Sequence, residues 1–101
     1  MKRYYSHYSF IYPDIYLKNS VVEIDQDNCI VSCFPYEKEI ERTSFYSGLL
    51  LYIPVGISVD KSYIRQIKDK IGDKNINWNT STNIIFPDRP FFIYSEEGIL
   101  L

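Results

Sequence analysis

With 101 residues, 46% of them hydrophobic and 24% charged, the chain has the balance of one folded domain and not of a disordered segment. A net charge of −2 and a pI near 5.3 exclude nucleic acid as the default partner, because phosphate binding calls for a cationic surface. Ten Tyr and six Phe stand against one Trp, and such residues favour strands and half-wet surfaces.

Met1-Lys2-Arg3 starts like a secretion signal, but Tyr4-Tyr5-Ser6-His7-Tyr8-Ser9 supplies no apolar core for one. Residues 3–12 alternate instead, with Tyr4, Ser6, Tyr8, Phe10 and Tyr12 on one face, which predicts a strand. Pro13-Asp14 breaks it. Ile15-Tyr16-Leu17 reads as a short apolar link and Lys18-Asn19-Ser20 as a polar turn.

Val21 to Ile24 and Cys29 to Phe34 are β-rich and flank Asp25-Gln26-Asp27-Asn28, a cluster of turn formers, so a hairpin is expected. Alternation places Cys29, Val31 and Cys33 on one of its faces. Four residues of strand separate the two cysteines by roughly 13 Å, beyond the ~7 Å reach of a disulfide. Free thiols and a cytoplasmic chain are expected. Residues 36–43 are charged and lack alternation, which predicts an exposed loop with one helical turn.

Thr43 to Ile53 is the most apolar strand, stopped by Pro54, and its unbroken apolar run is too short to cross a bilayer. From Asp60 to Ile71 the period changes. Tyr63, Ile64, Ile67 and Ile71 fall on one helical face, Ser58 or Asp60 can cap the start, and Gly72 suits the C′ position. Residues 73–83 are polar and Asn-rich, a loop that Trp78 pins to the core. Asn83 to Phe86 and Phe91 to Tyr94 read as short strands around Pro87-Asp88-Arg89-Pro90, and Ile99 to Leu101 as an apolar tail that docks.

Each chemical candidate competes with a plainer reading. His7 is the only histidine and has no ligand pair nearby in sequence. Cys29 or Cys33 with His7 would make a nucleophile and base, yet no motif supports it, and a buried free cysteine behaves as a small hydrophobe. Asp25 to Asn28 offers oxygen ligands without the calcium-loop pattern. Glu23, Asp25, Asp27, Glu37, Glu39 and Glu41 against Lys38 make residues 23–41 net −5. Lys61, Arg65, Lys68, Lys70 and Lys74 against Asp69 and Asp73 make residues 61–74 net +3. Opposed signs of this kind can meet across a subunit contact. No cofactor motif is present.

Ser6-His7-Tyr8-Ser9-Phe10, Leu17 to Asp25, Asn28 to Val31 and Phe45 to Pro54 follow an order that resembles the opening of amidohydrolase-superfamily enzymes, the metal-dependent hydrolases of the dihydroorotase type. The resemblance covers roughly the first half of the chain. It implies a small composite β-sandwich of the kind that flanks a catalytic (β/α)₈ barrel in that family. Two metal-binding histidines follow the strand there; the corresponding positions here are Asp60 and Ser62. A barrel takes about 200 residues or more, and 47 residues follow Pro54. The family's hydrolysis is therefore carried over to no residue.

The expectation is a mainly β single domain over residues 1–101. It is a small β-sandwich or curled antiparallel sheet of about six or seven strands with one amphipathic helix near residues 60–71. The function expected is a non-catalytic module acting through protein contacts, as a homodimer or with another protein. The alternative is a small-ligand or carbohydrate-binding domain. Neither nucleic acid nor membrane is an expected partner. The candidate contact or ligand face comprises Tyr4, Tyr8, Tyr12, Lys61, Arg65 and Lys68.

Overall fold

Pro13 and Asp14 end the first strand, and the chain returns along it to give β1 (Lys2–Ile11) and β2 (Ile15–Ile24). The computed structural model describes residues 1–37, 42–79 and 84–101. Within them follow β3 (Ile30–Pro35), β4 (Thr43–Pro54), α1 (Lys61–Ile71) and β5 (Phe91–Ser95). The strands form one sheet in the order β3-β2-β1-β4-β5, mainly β with one helix as expected.

Three expectations about the sheet change. It has five strands among the described residues, and Ile15 to Ile24 is one continuous strand and not a link, a turn and a strand. Residues 84–86 form no strand; residue 83 lies outside the described set. The sheet is mixed, since β4 runs parallel to β1 while every other pair is antiparallel. Parallel pairing needs a long connection, and β2 and β3 supply it. The helical turn expected within residues 36–43 falls largely on 38–41, outside the described residues.

Two apolar clusters occupy the two faces of the sheet. The inner cluster joins Ile11, Leu17, Val22, Ile24, Ile30, Cys33, Leu50, Tyr52, Phe91 and Ile93. The sheet curls around it until its far edges meet. Cys29 bridges Pro90, and the Phe91 N–H donates to the Asn28 carbonyl at 2.8 Å. Ile84 and Phe86 pack on this cluster from the loop, while Ile85 between them points away, 94% exposed.

The outer cluster is Phe10, Tyr16, Leu49, Leu51 and Ile53 beneath Ile64 and Ile67 of α1. The helix begins as its sequence dictates: the Asp60 carboxylate accepts from the Tyr63 N–H at 2.8 Å. Its last turn carries Lys68 and Lys70, favourable at the negative end of the dipole. Gly72 closes it at φ −78°, a helical value, so the left-handed C′ geometry expected there is not used. Trp78 does pin its loop, stacking on Tyr8 with ring centres 5.6 Å apart. Asn79 then clamps the bare edge of β2, its side-chain oxygen accepting from Tyr16 N–H and its own N–H donating to the Tyr16 carbonyl.

Strict alternation fails at one row. Between Ser6 and Tyr8 of β1, the neighbouring β4 advances from Tyr46 to Leu49, three residues against two. Gly48 takes φ +106° there and Asn19 of β2 takes φ +45°, conformations that glycine and asparagine accept most readily. Side chains of β1 and β2 exchange faces across this row. Tyr4 and Ile11 both join the inner cluster although seven residues separate them. Ser6 and Ser9 end up on that same face, buried and hydrogen-bonded to each other at 2.8 Å.

Candidate interaction surface

The expected face of Tyr4, Tyr8 and Tyr12 does not exist as one surface, because the exchange of faces divides it. Tyr4 packs on the inner cluster, and Tyr8 and Tyr12 pack on the outer one. Lys61, Arg65 and Lys68 do come together. They are exposed on α1 and, with Ile64 and Glu97, line an open groove of about 330 Å³.

What alternation along β1 hides is the other half of the outer sheet face. Register places Phe34, Val21, Tyr5 and Phe45 in one row across β3, β2, β1 and β4. Tyr36, just past β3, leans on the row: its ring lies 4.9 Å from Tyr5 and 5.8 Å from Phe45. Tyr5 and Phe45 are 5.4 Å apart, and His7 meets Tyr5 edge-on at 5.9 Å. The Tyr5 hydroxyl donates to the Asn19 side chain. Val21 is fully covered by its neighbours, yet Phe45 remains 48% and Tyr36 38% exposed.

A polar row borders the stripe. The Glu23 carboxylate accepts from the Ser32 hydroxyl at 2.6 Å and from the Arg3 guanidinium at 2.8 Å. The stripe stays bare for a geometric reason. An 11-residue helix spans about 16 Å, whereas the 12 residues of β4 reach about 40 Å. One helix covers the half of the face beyond the row of exchange and no more.

The rings do not make a flat platform. Their planes tilt by 50° to 86° against one another, whereas stacking on a sugar or base requires a face presented to the ligand. The geometry is that of aromatic side chains packed edge to face, the composition of an interface core.

The chemical candidates separate in space. Cys33 belongs to the inner cluster, and His7 is exposed among the rings of the outer face. Burial pushes the Cys33 thiol up to about 11. Desolvation, then the carboxylates of Asp25, Asp88 and Asp27, raises Cys29 as well. Neither is a thiolate near neutrality, and neither is in a disulfide. Val31, expected beside them, is a bulge: Ile24 pairs with Ile30 and Glu23 with Ser32, so Val31 is squeezed outward and Ile30 joins Cys33 inside. The Asp25 carboxylate accepts from the N–H groups of Asp27 and Cys29, which makes residues 25–29 a self-bonded turn. Among the described residues no three His, Cys, Asp or Glu side chains are grouped to hold a metal ion. No helix among them is long and apolar enough to cross a membrane.

No family model, curated protein or solved structure matches the chain. Its function is therefore argued from its own surface.

Proposed function

We propose that the chain is a non-catalytic module that acts through protein contacts, most simply by pairing with a second copy through the stripe of Phe34, Tyr5, Tyr36 and Phe45. The observation that carries this reading is Phe45, half exposed in line with three further rings on a sheet face its own helix does not reach. The Arg3–Glu23 pair alongside favours a two-fold partner: an isologous contact lays each chain's plus-minus pair against its mate's. A stable interface takes about 800 Å² from each partner, roughly an eighth of the 6544 Å² this chain exposes.

The resemblance to the opening of amidohydrolase-superfamily enzymes points in the same direction, although the one mixed sheet here is not the β-sandwich which that resemblance implies. At the two positions where those enzymes place metal ligands, Asp60 has its carboxylate engaged as the helix cap and Ser62 stands in the first turn of α1. Sedimentation at micromolar concentration tests the proposal. The chain is expected to sediment as a dimer, and the double variant Phe45→Ser, Tyr36→Ser as a folded monomer with an unchanged circular dichroism spectrum. A monomeric parent chain removes it.

A further inference from the structure

Helix α1 carries three cations in an arrangement that its own chain does not balance. Lys61, Arg65 and Lys68 follow one another at successive turns of a single face, all exposed. Like charges at this spacing repel. Lys61 also opens the helix, where the positive end of the dipole disfavours a cation, and no acidic residue stands in that first turn. Among the described residues none of the three is in an ion pair, although Arg3 finds Glu23.

The groove of about 330 Å³ beside them has a second, fixed wall, the turn after β5. Its Gly98 N–H donates to the Ser95 carbonyl at 2.9 Å, and the Ser95 N–H donates to the Ile99 carbonyl at 2.8 Å. Turn and helix touch at the base of the groove, where Ile64 Cδ1 lies 3.2 Å from the place a Cβ on Gly98 would take. From this wall Glu97 lines the groove without pairing to any of the three cations, and Ile99 beyond it is 63% exposed.

A cationic wall facing a single carboxylate selects its occupant. A nucleic acid presents phosphates along its whole length and meets Glu97 unfavourably. An extended peptide instead sends alternate side chains to opposite sides. Carboxylates two residues apart then lie about 7 Å from each other. That is near the helical pitch of about 5.4 Å, and the long stems of Lys and Arg take up the difference. The residue between the carboxylates points the other way, toward Glu97. We infer that this groove holds an extended segment of a partner protein with the pattern acid, base, acid. Its carboxylates meet Lys61, Arg65 and Lys68, its base meets Glu97, and a flanking apolar residue lies against Ile99. Arg65 supplies the planar fork that suits a carboxylate. The inference needs no second copy of the chain and does not depend on pairing through the aromatic stripe.

Amide chemical shifts of the full chain, titrated with the peptide acetyl-Leu-Asp-Arg-Asp-Leu-amide, provide the test. Saturable shifts are expected at Ile64, Arg65, Lys68 and Gly98, and none at Phe34 or Phe45. The isomer acetyl-Leu-Arg-Asp-Asp-Leu-amide has the same charge without the spacing, and is expected to bind about fivefold more weakly, as loss of one exposed charge pair implies. Lys61→Gln combined with Arg65→Gln is expected to weaken the first peptide about tenfold or more with an unchanged circular dichroism spectrum. Glu97→Gln is expected to weaken the Asp-Arg-Asp peptide and to tighten its Asp-Gln-Asp counterpart. The inference is overturned if millimolar peptide leaves these amides unmoved, if the isomer binds as well, or if Glu97→Gln tightens both peptides. Equal binding of an eight-residue oligothymidylate at the same amides would reduce the groove to an unselective cationic face and overturn it too.

Discussion

The outer face of the sheet has two halves built from the same kinds of residue, and only one of them is covered. Beyond the row of exchange, Phe10, Leu49, Leu51 and Ile53 lie under α1 and are essentially dry. Before it, Tyr5, Phe34, Tyr36 and Phe45 lean on one another, and half of Phe45 faces water. Hydrophobic composition is thus no measure of what a strand contributes to stability. What decides is whether a second layer reaches it, and here helix length sets that limit.

Paired truncations break the comparison if it is wrong. Leu51→Ala, in the covered half, should cost about 2–5 kcal/mol in denaturant unfolding. Phe45→Ala, in the bare half, should cost under about 1 kcal/mol when measured below the dimerisation range. Similar costs for both would mean that the stripe is part of the monomer core. The boundary between the halves can be probed by Gly48→Ala. A Cβ there meets the Glu96 carboxylate at 3.1 Å and φ is +106°, so a loss of about 1–3 kcal/mol is expected. The same change at Gly56, also at positive φ but with open space around it, should cost less.

A pH-dependent effect concerns the inner face. Cys33 holds its proton more tightly when folded, with its pKa raised from 9.0 to about 11. The folded chain therefore keeps a proton that the unfolded chain releases, and this stabilisation is complete below pH 9.0 and lost as the pH rises toward 11. At pH 10 the loss is about 1 kcal/mol. Stability curves for the parent chain and Cys33→Ala, compared over that window, separate this thiol from the tyrosines. Parallel curves would show Cys33 to be better solvated than its place in the core implies.

Much of the fold was legible in the sequence because it is encoded locally. The helix follows from the spacing of Tyr63, Ile64, Ile67 and Ile71 with Asp60 before it, and β4 from its apolar run up to Pro54. The interaction surface was not legible. Tyr4, Tyr8 and Tyr12 share a parity in the sequence, and the change of register near His7, Asn19 and Gly48 divides them between two faces. Nothing near Tyr5 announces that Phe45 lies beside it, since that contact depends on a parallel pairing between strands far apart in the chain. Tyr36 sits just ahead of a charged stretch that reads as loop. The basic triad Lys61, Arg65 and Lys68 was legible for the same reason as the helix that carries it: helical spacing is enough to bring the three together.

The bridge between Cys29 and Pro90 has a consequence for how the molecule comes apart. A sheet with two loose ends can fray from either, one outer strand at a time. In this one the outermost strands are buttoned to each other through Asn28 and Phe91. Neither can peel away until the button is undone, and undoing it releases both, so the perimeter behaves as a hoop that stays shut or opens all at once.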